Sequence, residues 1–244
     1  MTTATTYRAT AAERSGGSAP LPARRRRWPQ RVMVLVLLLA LLAAAGWLVG
    51  FSSVLAVTQV RVTNVHQISP DRVREVAAVP LGLPLARQDL AAIDQRVSAI
   101  PQVSSATVSR EWPNSIKIAI VERKPLLGIL QPDGYALVDR DGVVFETQPS
   151  LPKGVLLTDV DPGNVDLLAE VGAIVVAMPA RLKKKVARIS ATSANAVNVI
   201  LINGVRVNWG TAADSPLKAE LVATLLKRHP SMIDVSSPHN PAVR

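Results

Sequence analysis

The chain contains no cysteine among its 244 residues. That excludes a disulfide scaffold, a thiolate zinc site, an iron–sulfur cluster and a cysteine nucleophile. Histidine is almost as scarce. His66, His229 and His239 lie far apart in sequence, which argues against a multi-histidine metal centre. Eight residues are aromatic, too few for a platform that stacks single-stranded bases. Apolar residues are plentiful at 48 %, so a core can be buried and wholesale disorder is excluded. The length allows one large domain or two small ones beside a membrane segment.

Charge is unevenly spread. Residues 1–31 hold seven arginines (8, 14, 24, 25, 26, 27 and 31) and one acid, Glu13, so they carry +6 of the formal +10. The high pI therefore describes a short tail and not a basic domain face, and nucleic acid is not an expected partner. The tail is otherwise Thr, Ala, Ser and Gly without an apolar period, and is expected to be disordered and cytoplasmic.

From Val32 to Val57 there are 26 residues without a charge. As a helix they would span about 39 Å, more than the roughly 30 Å hydrocarbon layer. A transmembrane helix is expected over residues 32–53, with Trp28 on one side and Trp47 and Phe51 near the other as interfacial anchors. Arg24, Arg25, Arg26, Arg27 and Arg31 flank its N-terminal end and predict an N-terminus in the cytoplasm with the bulk outside. The competing reading is a cleaved signal peptide with Ala43-Ala44-Ala45 as its cleavage site. The long basic leader and the apolar sequence continuing past Ala45 favour the anchor.

Residues 57–125 read as a first unit. Thr58 to Val62 alternates and predicts a strand. Ser69-Pro70 is an N-cap followed by proline at the first helical position, and Val73, Val76 and Ala77 give that helix an apolar face. Leu90, Ile93, Val97 and Ile100 predict a second helix over residues 88–99, stopped by Pro101. Strands follow at Val103 to Glu111 and around Ile116, Ile118 and Ile120, with Trp112-Pro113-Asn114-Ser115 as the turn.

Residues 126–236 form a second unit. Tyr135 to Asp139 and Val143 to Phe145 predict a hairpin around Arg140-Asp141-Gly142. A short strand is expected after Gly154, a helix over Val165 to Met178, strands at Val186 to Ala191 and Val197 to Ile202, and a hairpin at Asn203-Gly204. Pro216 opens a helix with Leu217, Leu221, Leu225 and Leu226 along one side, reaching Arg228. The last strand spans Met232 to Ser236, before a Ser/Pro/Asn tail over residues 237–244. The fold class is α+β: one N-terminal transmembrane helix, a β-α-α-β-β unit, and an antiparallel β domain with flanking helices.

The last strand is the main functional candidate. A terminal strand at a sheet edge leaves N–H and C=O groups that can accept a partner's strand. Ile233, Asp234, Val235 and Ser236 are the residues in question, and proline at Val235 is expected to remove a backbone donor from that edge. Alternatively, Ile233 and Val235 pack inward while Asp234 discourages aggregation. Both hold if the side chains pack while the backbone edge binds.

Other constellations are weak. Asp159-Val160-Asp161-Pro162-Gly163-Asn164 with Glu170 partly mimics a calcium loop, but Gly163 and Asn164 stand where a ligand and a glycine are needed. Lys183, Lys184 and Lys185 with Arg181 and Arg188 read as a solvated face that can meet anionic lipid or an acidic partner helix. No phosphate-binding glycine loop or nucleophile elbow is present. Neither a cofactor nor a metal is expected.

The run Val108-Ser109-Arg110-Glu111-Trp112-Pro113-Asn114-Ser115-Ile116-Lys117-Ile118, followed by Val121-Glu122-Arg123-Lys124-Pro125, resembles the POTRA domain of the FtsQ/DivIB family. Leu137-Val138-Asp139 with Gly142 and Val144 resembles a further stretch of that family. The resemblance covers the chain from about Arg24, and the arginine- and alanine-rich tail suits an actinobacterial member. It marks Arg110, Trp112, Pro113, Glu122, Arg123 and Pro125 as motif residues, which as bare residues read mainly as fold-specifying. It implies a non-catalytic single-pass division protein in the bacterial cell membrane, concentrated at the septum. It also implies that the closing strand, Ile233 to Ser236, binds FtsB and FtsL and so acts indirectly on septal peptidoglycan synthases. Two other readings predict different features. A POTRA chaperone or export component predicts further repeats or a barrel. A membrane-anchored hydrolase predicts a cleft with perturbed acids.

Overall fold

The computed structural model describes residues 28–51 and 53–244. The expectations for the tail, for Arg24, Arg25, Arg26 and Arg27, and for the Trp28 side chain lie outside the described residues. Helix α1 runs Trp28–Phe51. Residues 30–51 are long and apolar enough to cross a membrane, and their side chains are exposed almost throughout. The helix starts before Val32 and takes in Arg31. A polar residue can continue a helix whose backbone hydrogen bonds are already being made.

The segment after α1 builds a three-stranded sheet in the order β1-β3-β2. Its elements are β1 (Gln59–Thr63), α2 (Pro70–Ala77), α3 (Leu90–Ser98), β2 (Val103–Glu111) and β3 (Ser115–Glu122). Ser69 Oγ accepts the Asp71 N–H at 3.3 Å and starts α2. Asp89 Oδ1 accepts the Ala92 N–H at 3.0 Å and starts α3. Strand β3 lies in the middle, parallel to β1 and antiparallel to β2. Its alternation places Ile116, Ile118 and Ile120 on one face, all fully buried against Val73, Ala77, Ile93 and Val97 of the two helices. The expected order of strand, helix, helix, strand, strand is what forms.

The second sheet has nine strands in the order β12-β11-β10-β9-β8-β7-β4-β5-β6. They are β4 (Leu127–Gln131), β5 (Gly134–Val138), β6 (Val144–Gln148), β7 (Leu156–Thr158), β8 (Val186–Ala191), β9 (Val197–Leu201), β10 (Arg206–Gly210), β11 (Met232–Asp234) and β12 (Ala242–Val243). Helices α4 (Val165–Ala177) and α5 (Ala180–Lys183) come between β7 and β8, and α6 (Ser215–Leu225) between β10 and β11. Most pairings are antiparallel, but β4–β7, β7–β8 and β10–β11 are parallel. Two of these three follow from the helices, because a parallel pair needs a crossover connection and α4 and α6 provide it. Strand β4 was not evident in the sequence. Leu126 to Leu130 is a short apolar run without alternation, and such runs carry no period that distinguishes a strand.

The core of this sheet includes Leu168, Val171 and Ile174 of α4, with Val199, Val207, Trp209, Ile233 and Val235 from the strands and the turn after β11. Trp209 is fully buried and satisfies its Nε1–H on Ser215 Oγ at 2.9 Å. The apolar side of α6 differs from the leucine stripe expected. Its buried residues are Ser215, Lys218, Ala219 and Val222, while Leu217 stays 40 % exposed. Small side chains let the helix lie close to the sheet, and Leu221, Leu225 and Leu226 close its flank. Lys218 is buried with its Nζ on the Thr211 carbonyl at 3.0 Å. Burial pushes its pKa down, against the opposing charges of Asp214 and Glu170.

Ile118→Ala should cost about 2–5 kcal/mol, because the centre of the three-stranded core cannot collapse onto the cavity. Leu130→Ala, at a position 68 % exposed, should stay within about 0.5 kcal/mol. Urea midpoints of the two variants against the parent chain check the difference.

Candidate functional site

The motif residues around β2 and β3 act mostly on backbone. Arg110 donates from Nε to the Leu85 carbonyl at 2.9 Å and from Nη2 to the Gln88 carbonyl at 2.9 Å. It thereby closes the loop between α2 and α3. Trp112 is 52 % exposed at the β2–β3 turn, next to a cis peptide bond to Pro113. Glu122 sits at the end of β3 with its Oε1 accepting N–H groups from His66 at 2.8 Å, Gln67 at 3.0 Å and Ile68 at 3.0 Å. Burial pushes its pKa up, but the N–H bonds and the nearby His66 outweigh that and hold it below its ordinary value. Arg31 is exposed within α1.

Arg123 turns the other way. Its backbone N–H bonds the Gln102 carbonyl at 2.8 Å and its Nε bonds the Pro101 carbonyl at 3.1 Å. Its Nη1 pairs with the Asp139 carboxylate. Asp139 lies at the end of β5 in the next sheet, and its other oxygen accepts the Asp141 and Val143 N–H groups, each at 2.9 Å. The Asp139 side chain is 3 % exposed and Arg123 17 %. One guanidinium therefore joins the turn before β2 to the β5–β6 turn. Pro125 follows in the connecting segment between β3 and β4.

In the closing strand the side chains pack inward, as the alternative reading expected. Ile233 and Val235 are fully buried in the core. Asp234 is held on its side chain by Asn208 Nδ2 at 2.9 Å, Ser236 N–H at 2.9 Å and Ser236 Oγ at 2.7 Å. Burial pushes the Asp234 pKa up, but the Ser236 and Asn208 bonds outweigh it and lower it. Strand β11 runs parallel to β10, pairing Arg206 with Met232, Val207 with Ile233 and Asn208 with Asp234. The expected edge position is corrected here. The chain turns back after Ser236, and β12 pairs antiparallel on the outer side, Val243 with Ile233 and Ala242 with Asp234. Val235 is corrected too. Its N–H donates inward to the Asn208 carbonyl at 2.9 Å, so proline there would break the inner ladder and not an edge.

Two supporting residues were not legible in the sequence. Asn208 positions Asp234 from the neighbouring strand. Gly210 has φ +72°, and a Cβ there would lie 2.9 Å from the Ser236 Cβ. Only glycine allows that approach without strain. A glycine at the end of a strand was the available signal.

Among the described residues, no group of three or more His, Asp or Glu is placed to hold a metal ion. Glu122 and Asp234 are the described carboxylates with resolved shifts, and both move down. That direction is opposite to the one a general acid needs at neutral pH. Lys184, Lys185 and Arg188 are exposed after α5, in line with a solvated basic face.

Residues 55–123 match the family described as POTRA domain, FtsQ-type, and residues 128–236 match Cell division protein FtsQ/DivIB, C-terminal. The chain belongs to the FtsQ/DivIB family. It is 33 % identical over 235 residues to Cell division protein FtsQ of Streptomyces bingchenggensis, covering 90 % of this chain and 89 % of the relative. It is 37 % identical over 217 residues to that of Mycolicibacterium smegmatis, covering 88 % of this chain and 65 % of the relative. The match to the Streptomyces venezuelae protein is 32 % over 262 residues, covering 99 % of this chain and 97 % of that one. The family places the β1-to-β3 unit as a POTRA domain and the chain among cell division proteins, with α1 suited to a single-pass anchor.

Arg123→Ala should cost about 3 kcal/mol, because it strands a buried carboxylate. Arg61→Ala breaks an exposed pair with Glu111 at 3.2 Å and should cost at most about 1 kcal/mol. Denaturant midpoints separate the two. Glu122 predicts a pH signature. A lowered folded pKa contributes stability above the ordinary carboxylate value, and that contribution is lost as pH falls through the folded value. The advantage of the parent chain over Glu122→Gln should therefore be present at pH 7 and shrink below about pH 4.5, read as melting temperature against pH.

Proposed function

We propose that the chain is a bitopic scaffold of the bacterial division machinery, with its N-terminus in the cytoplasm and residues beyond α1 outside. It contributes no chemistry of its own. It holds other single-pass division proteins, FtsB and FtsL, at the septum and thereby links early and late division proteins and positions the peptidoglycan synthases. The capture surface is the C-terminal strand region, Ile233 to Ser236, with backbone pairing as the mode of recognition. The observation that carries this reading is the construction of β11. Ile233 and Val235 anchor it in the core, while its outer side faces a cover of only two paired residues. A rigid strand with a thinly covered outer edge is suited to accept a partner's strand. The arginines before α1 support the orientation. The pair of Arg123 with Asp139 serves to hold the POTRA unit and the sheet that carries β11 in one arrangement.

The test is the position of a fluorescent fusion on the N-terminus, in growing cells that have lost the native copy. A band at the division site in cells that still divide is expected. An even ring around the membrane, with normal division on depletion, would overturn the scaffold reading.

A further inference from the structure

The outer side of β11 is occupied by the chain itself. After Ser236 the backbone turns, with the Asn240 N–H on the Ser237 carbonyl at 3.0 Å, and returns as β12. Beyond the two ladder pairs, the contacts converge on Arg244. Its carbonyl accepts the N–H of Ser231 at 2.7 Å and of Met232 at 3.0 Å, and Ser231 Oγ at 3.0 Å. Its own N–H donates to the Met232 carbonyl at 2.9 Å. These bonds use the backbone groups that an incoming strand would use.

The hold on this segment is almost wholly backbone. Pro241, Ala242, Val243 and Arg244 are exposed, whereas Ile233 and Val235 beneath are fully buried. Removal of β12 therefore exposes little apolar surface, and water or another strand replaces each lost hydrogen bond. Nor is β12 a good acceptor for further strands. It is two residues long and follows Pro241, which has no N–H. A partner strand gains a usable ladder only on β11.

We infer that residues 238–244 are a displaceable strand that covers the acceptor edge of β11 in cis and sets a threshold for strand capture. The inference rests on the proposed use of β11 for partner binding and adds its regulation. A tethered segment acts at a high effective concentration, so a short weak ladder suffices to exclude casual strands. A partner strand outcompetes it where side-chain contacts add to the same backbone bonds. The cover also keeps an otherwise open edge from pairing with further copies of the chain.

The experiment compares the full chain with a version ending at Ser237, both in detergent micelles. The probe is a labelled synthetic peptide with the sequence of residues 238–244, read by fluorescence anisotropy. The shortened chain should bind it at least about tenfold more tightly than the full chain. Arg244→Pro in the full chain removes the N–H given to Met232, and should bind the peptide more tightly than the parent. Equal binding by all three chains would overturn the inference. So would a shortened chain that melts like the parent and takes no peptide. The readout involves no division partner, so the septal reading stands or falls separately in the localisation experiment.

Discussion

Arg123 leaves β3 at the point where one sheet ends and the next begins, and it satisfies groups on both. Its Nε closes the turn before β2 on the Pro101 carbonyl, and its Nη1 meets Asp139. Asp139 is nearly fully buried, so the carboxylate cannot be left without a cation at tolerable cost. Its second oxygen gathers two N–H groups of the β5–β6 turn. A change in the angle between the sheets would have to break this chain of charge-assisted bonds. Next to it, Glu122 gathers three N–H groups of the β1–α2 loop. Glu122 at the end of β3 and Arg123 just after it thus anchor opposite directions, as consecutive side chains of extended backbone can.

The sheet fixed in this way extends from β6 at one end to β11 and β12 at the other. Strand β11 is built from the inside: Ile233 and Val235 fill the core, and Gly210 gives Ser236 room to approach. Asp234 is tied down by Asn208 and Ser236 and is not a free surface charge. The strand is rigid where it faces the core and weakly covered where it faces outward. That asymmetry is the basis of the proposed capture role, in which ordering entropy is met in advance.

The resemblance, the fold and the family agree on a cell division protein with an N-terminal helix suited to a membrane anchor. The chain devotes successive segments to the apolar helix, the POTRA unit and the nine-stranded sheet. The two carboxylates with lowered pKa values each accept several hydrogen bonds, which favour their ionised form.

Much of this was legible in the residues. The uncharged run after Arg31 is long enough for an anchor, and the steps of Leu90, Ile93 and Val97 and the alternation of Ile116, Ile118 and Ile120 place the elements of the first unit. Asn203-Gly204 and Ser69-Pro70 mark a hairpin and a helix start through local conformational preference. Such signals act over a few neighbouring residues, so one sequence carries them. Tertiary structure decided what depends on distant partners. Strand β4 takes its place because β5 and β7 flank it, and α6 turns Ala219 and Val222 inward although Leu217 and Leu221 are more apolar to the eye. The pairing of Arg123 with Asp139 joins residues sixteen positions apart. The return of residues 242–244 over β11 was invisible in a Ser/Pro/Asn tail, because backbone pairing to an existing edge needs no side-chain pattern to announce it.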